Sequence, residues 1–223
     1  MMADSTAQPN ANDTARLFPL PNLVLFPQIV QGLHIFEPRY RQLMADTLAS
    51  DMQFALVLLK PDWENDYDAR PPIEAIACLG KVIAHEKMND GRYNLQLRGM
   101  SRIRILEELD DDKLYRTARF EPLSDIVPSQ MSELTALRND VGTAILARFP
   151  EGGTTHTQIE ELIHSDTPLG PLCDIFAYSL PLPLELKQQL LAECDVAARA
   201  SQLAAALRLP QPGRRFPPEF SAN

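Results

Sequence analysis

The apolar pattern of this chain changes period once, near residue 125, and that change points to an α+β fold. Before it, short apolar runs alternate with polar residues or are cut by turn signals, as strands require. Beyond it, Met131, Leu134, Leu137, Val141, Ile145 and Phe149 recur every three or four residues, the spacing of one helix face. Strands followed by helices, rather than interleaved with them, belong to the α+β class.

The first half opens on Leu17-Phe18-Pro19-Leu20-Pro21-Asn22-Leu23-Val24-Leu25-Phe26-Pro27. Three prolines forbid a helix here and fit poorly in a central strand, so an extended, bent edge strand is predicted. In the next segment Pro38 suits a first helical turn, and Tyr40, Leu43, Met44, Thr47 and Leu48 fall on one face. Residues 54–59 read as a short buried strand. A meander follows: a strand over Ile76–Glu86, a turn at Asn89-Asp90-Gly91, and alternation over Arg92–Arg98 with Tyr93, Leu95 and Leu97 on one side. Gly99 marks a bulge or a close backbone approach. Ile103 and Ile105 carry the strand on, and Tyr115–Glu121 is another, ended by Pro122.

Hairpin-linked strands around one helix predict a small closed or half-closed β-barrel over residues 16–124. Residues 125–209 read as a helical bundle: one long helix to Phe149, then helices near 157–164, 171–180, 184–193 and 195–208. Residues 1–15 read as a flexible leader and 210–223 as a Pro-rich flexible tail.

At 223 residues, 45% apolar and 23% charged, the chain can bury a core without staples. Lys and Arg total 21 against 30 Asp and Glu, a net charge of −9, which opposes nucleic-acid binding by bulk electrostatics. Cys78, Cys173 and Cys194 are odd in number, widely spaced and form no CxxC, so reduced thiols are expected rather than disulfides or zinc. The start has no basic n-region or apolar h-region, and the longest apolar runs are too short to span a bilayer. A soluble, cytoplasmic protein without a membrane partner is expected.

Familiar catalytic motifs are missing. There is no phosphate loop of the G-x-x-x-x-G-K-[ST] kind, no G-x-S-x-G elbow and no H-E-x-x-H. No catalytic residue, metal or cofactor is therefore expected. His156, Glu160 and His164 would share a helix face, but the outer two would lie about 12 Å apart, too far to share one ion. Arg92, Arg98, Arg102 and Arg104 cluster on the meander and read as a solvated strand face balanced by Glu86, Glu107 and Glu108, in preference to an anion patch. Asp110-Asp111-Asp112 reads as a solvated turn.

One resemblance is specific. Phe18-Pro19-Leu20-Pro21-Asn22-Leu23-Val24-Leu25-Phe26-Pro27, followed by Leu33-His34-Ile35-Phe36-Glu37-Pro38-Arg39-Tyr40, resembles the opening of the Lon protease N-terminal substrate-binding domain. Leu79-Gly80-Lys81-Val82-Ile83, Gly91–Gly99 and Arg102-Ile103-Arg104-Ile105 extend the likeness, as do Lys187–Leu191 and Asp195-Val196. It covers about residues 16–208. It implies a PUA-like β-barrel followed by helices, no catalysis of its own, and a stand-alone form without the ATPase and peptidase domains. It also implies recognition of unfolded or apolar polypeptide segments, with a protease or chaperone as a further partner. An RNA-binding module of PUA type and an assembly adaptor are the alternatives.

β-Augmentation on the proline-blunted edge would place Leu25, Phe26, Phe36 and Tyr40 as peptide contacts, against the plainer reading of core packing. Gln28 departs from the family, which often has Gly after the Phe-Pro pair. Because Gln disfavours positive φ, the loop there is expected to take another path.

Overall fold

The structure, a computed structural model, describes residues 14–66 and 70–209; the expected tail and most of the expected leader lie outside them. The first half holds β1 (Thr14–Leu20), β2 (Val30–Ile35), α1 (Pro38–Leu48), β3 (Gln53–Leu58), β4 (Ile76–Lys87), β5 (Tyr93–Leu109) and β6 (Arg116–Leu123). The second holds α2 (Met131–Leu146), α3 (Thr154–His164), α4 (Leu169–Ser179), α5 (Leu184–Ala192) and α6 (Val196–Arg208). The fold is α+β.

The sheet runs β2-β5-β4-β3-β1-β6, and β6 pairs again with β5, so five strands close a ring and β2 hangs outside it. Alternate residues of the five strands fill the ring. They are Ala15 and Leu17, Ala55 and Val57, Ala77 and Leu79, Ile103, and Ala118 and Phe120, all buried as one cluster. Four of the five strands give one alanine each, because a small barrel has room for a bulky residue only beside a small one.

The proline-rich opening is not the expected edge strand. β1 pairs in parallel with β3 from Leu17 to Leu20 and antiparallel with β6 from Thr14 to Leu17. Thr14 and Ala15 therefore belong to the sheet and not to a leader. The proline rule survives locally: past Leu17 only the β3 side is paired, and Pro19 sits there, its carbonyl accepting from the Tyr40 hydroxyl at 3.4 Å. Pro122 likewise lies inside β6, opposite Ile103, rather than ending it.

Gln28 also departs from expectation, since it takes the left-handed conformation at φ 69°. Its amide donates to the Gly99 carbonyl (2.9 Å), the Gly99 amide donates to the Ile29 carbonyl (2.8 Å), and the Arg98 guanidinium holds the Gln28 side chain (3.1 Å). These bonds offset the steric cost that the side chain brings there. Gly99 is a close approach, as expected: a Cβ would stand 2.1 Å from the Phe26 carbonyl oxygen. The β4–β5 register also shifts beside it, so β5 runs unbroken through a bulge. At the hairpin, Gly91 has φ +84° and donates to the Met88 carbonyl.

Much of the outer face of the barrel is covered rather than wet, though Arg104 and Arg119 remain exposed. α1 buries Tyr40, Leu43, Met44 and Thr47, with Phe18 packed edge-on against Tyr40 at 4.3 Å. The same core continues into α2–α6 through Val141, Ile145, Leu172, Phe176, Leu190 and Leu203. Four charges sit in the seam. Arg102 of β5 bonds Asp174 of α4 (2.6 Å) and the Leu191 carbonyl (2.9 Å); Arg199 of α6, fully buried, bonds Asp125 (2.5 Å) and lies 3.6 Å from Asp174. The expectation of a solvated Arg102 is overturned. Its side chain does point away from the barrel interior, but α4 and α5 stand on that side. Burial pushes the Asp174 carboxyl up, against the pull of Arg102 and Arg199.

Candidate functional site

β2 is the one strand of the described sheet with a single neighbour, β5, which it meets from Val30↔Arg98 to Ile35↔Tyr93. Its sequence, Val-Gln-Gly-Leu-His-Ile, contains no proline and no Lys, Arg, Asp or Glu. Edges are normally guarded by such residues, so this edge can accept an added strand. Val30, Gly32 and His34 are exposed, while Gln31 and Leu33 are half-buried and Ile35 is buried. Gln31 is held from beneath by the Tyr178 hydroxyl of α4. Just past the strand, Phe36 is 59% exposed, with the His34 ring stacked 6.1 Å away. His34 Nδ1 lies 2.7 Å from the Asn94 side-chain oxygen, which fixes the ring over β5. An exposed aromatic pair beside an unguarded edge offers backbone bonding and an apolar contact together.

A cavity of about 550 Å³ lies near the open side of β1. Its apolar and aromatic lining is Pro19, Tyr40, Leu59, Pro71, Leu114 and Tyr115. Among the described residues its charged lining is Arg39, Arg70, Lys113 and Arg116, with no acidic side chain. Tyr115 donates to Asp46 (2.7 Å), as does Lys113 (2.8 Å), and the two bonds hold the Asp46 carboxyl below the usual carboxylate range. Burial, then Asp46, pushes the Tyr115 phenol up to about 12.

The four sequence-derived contact residues part company. Leu25 and Phe26 are fully sealed in the core, Tyr40 is almost so while still lining the cavity, and Phe36 alone is exposed. The loop that Gln28 and Gly99 fold back upon itself drives Leu25 and Phe26 inward. β2 escaped the sequence reading because Gln31-Gly32 interrupts its alternation; the trace of it was Leu33 and Ile35 flanking His34.

The arginine cluster is not an open patch. Arg102 is buried, Arg92 pairs with Asp90, Arg104 with Glu121, and Arg98 with Gln28. The acids expected to balance it look elsewhere: Glu107 pairs with Arg119 and Glu108 with Arg116. His164 Nδ1 bonds the Glu160 carbonyl, and among the described residues no three His, Cys, Asp or Glu side chains group to hold a metal. Cys78 and Cys173 are buried thiols raised to about 12, far from thiolate at neutral pH, and Cys194 is free as well. Among the described residues no helix is long and apolar enough to cross a membrane.

Comparison with known proteins agrees with this architecture. The chain is 27% identical over 186 residues to Lon protease 2 of Myxococcus xanthus, and equally to Lon protease of Anaeromyxobacter dehalogenans; each match covers 82% of this chain and 22% of the relative. The chain thus spans about a fifth of those proteins. Among solved structures, a Lon N-terminal domain protein from Xanthomonas campestris shares the fold at a TM-score of 0.63 and 24% identity, over 86% of this chain and 98% of that one. The N-terminal domain of the Mycobacterium avium complex Lon protease does so at 0.69 and 17%, over 87% and 98%. The family pattern itself matches residues 14–208, nearly everything the structure describes, and so the chain belongs to the ATP-dependent protease La (LON) substrate-binding domain family.

Proposed function

We propose that this chain is a polypeptide-recognition module that binds exposed apolar segments of unfolded protein and does not cut them. The observation that carries the reading is the unguarded edge of β2 beside the exposed Phe36. An extended segment added to β2 bonds through its main chain, which any sequence supplies, and Phe36 with His34 then favours segments bearing large apolar side chains. Membership of a substrate-binding family supports the same reading. Of the four contacts read from sequence, Phe36 keeps the role, Tyr40 retains a wall of the cavity, and Leu25 and Phe26 serve to hold the loop.

The test is fluorescence anisotropy with a permanently unfolded polypeptide amidated at its C-terminus, with a gel of the same tubes. Saturable binding of an intact polypeptide that weakens for Phe36→Ala supports the module. Equal binding by wild type and Phe36→Ala, or none, removes this site, and cleavage that survives purification means an active site.

A further inference from the structure

We propose that the cavity between β1, α1 and β6 is a second subsite, which takes the free carboxyl terminus of a polypeptide ending in an apolar or aromatic residue. This rests on the polypeptide-recognition reading above but uses a different surface.

Charge complementarity comes first. The whole chain carries −9, yet among the described residues the charged side chains lining this cavity are all cations. Their carboxylate partners, Glu37, Asp46, Glu108 and Asp110, are not part of the lining. Each ion pair therefore turns its positive end toward the cavity, and the pairing fixes Arg39 and Arg116 in place before any ligand arrives.

Two of the cations keep donors to spare. Among the described residues Arg70 pairs with Asp110 alone, at 3.8 Å with that carboxylate fully exposed, which is too long for a hydrogen bond. Lys113 spends one bond on Asp46 and has three donors. An arriving carboxylate can take the Arg70 fork and the spare Lys113 protons.

The shape of the lining selects a chain end over an internal acid. The β1 backbone beside the cavity cannot support a passing strand, because Pro19 has no N–H and its carbonyl is already engaged by Tyr40. In an extended peptide, neighbouring side chains point to opposite sides, so an internal acid next to an apolar residue faces away when that residue faces in. A terminal residue carries its carboxylate and its side chain together. Its ring or branched chain meets Tyr40, Leu59 and Tyr115 while its carboxylate meets the cations. A volume of about 550 Å³ is ample for such an end.

The test compares two short fluorescent peptides ending in Leu-Phe, one a free acid and one an amide, on the full chain at low salt. The acid should bind about tenfold tighter, as expected for a charge-assisted contact. Arg70→Gln and Lys113→Gln, both at exposed positions, should reduce the acid to the level of the amide. Binding of the amidated unfolded polypeptide, the probe of the β2 edge, should stay unchanged in both variants. Equal affinity for acid and amide overturns the subsite, as does an acid preference that persists in both variants or one matched by a peptide with an internal Asp. Loss of the polypeptide probe alone, on Phe36→Ala, speaks to the β2 reading and leaves the carboxylate result intact.

Discussion

The Arg102 guanidinium of β5 meets the Asp174 carboxylate of α4 at 2.6 Å across 72 residues of sequence, with both side chains nearly sealed from water. That bond ties the outside of the barrel to the helical half. Arg102 also donates to the Leu191 carbonyl, and Arg199 stands behind Asp174, so few donors in the group go unused.

Removing one partner of such a pair strands the other. Asp174→Asn or Arg102→Ala should each lose about 3–5 kcal/mol in urea unfolding, whereas replacing both with apolar residues of similar size should recover much of it. A loss under about 1 kcal/mol for the single variants would mean that solvent reaches the seam.

The Asp46 cluster should shape stability at both ends of the pH scale. The folded Asp46 carboxyl lies below its unfolded value, so its contribution is complete above about pH 4 and is lost as pH falls through the folded value. The Tyr115 phenol is raised to about 12, so its contribution is complete below about pH 10 and is lost as pH rises toward 12. Asp46→Asn should flatten the acid limb and lower the Tyr115 titration seen by ultraviolet absorbance. Tyr115→Phe should abolish that high-pH component. An absorbance titration identical in wild type and Asp46→Asn would break the assignment.

Phe26 and Phe36 should separate stability from binding. Phe26→Ala empties a sealed site and should cost about 3–5 kcal/mol. Phe36→Ala changes an exposed ring and should stay within about 0.5 kcal/mol of wild type in thermal or urea unfolding. A large stability loss at Phe36 would place it in packing after all.

The loop at Gln28 should respond to glycine in opposite ways at its two ends. Gly99→Ala drives a methyl into the Phe26 carbonyl and should lose about 1–3 kcal/mol. Gln28→Gly relieves a left-handed side chain and should be neutral or gain up to about 1 kcal/mol, since the lost Arg98 bond is at the surface. The two variants unfolding alike in denaturant would refute this account.

Much of the barrel was legible in the chain. Tyr93, Leu95 and Leu97 are buried and alternate with exposed Asn94, Gln96 and Arg98, as their spacing predicts, although the core they join is the one shared with the helices and not the barrel interior. What period cannot tell is which outer face meets water. Arg102 and Cys78 point away from the barrel interior like any solvated residue, yet helices that come some seventy or more residues after Arg102 cover them. The site was harder still. Prolines drew attention to residues 17–27, but a proline guards an edge, and the unguarded edge is the strand that lacks one. Its six residues contain a glycine and too few apolar alternations to stand out.

Ring closure also sets the order in which this molecule can be made. Thr14 pairs with Arg119, so the first strand waits for the last one of the barrel. During synthesis the β6-facing edge of β1 stays open until more than a hundred residues have emerged, and no shorter N-terminal fragment can close the ring. Pairings so distant in sequence fold slowly. The first half of this chain is therefore open to pairing with other nascent chains for as long as β6 takes to appear, and it is ring closure that ends the exposure.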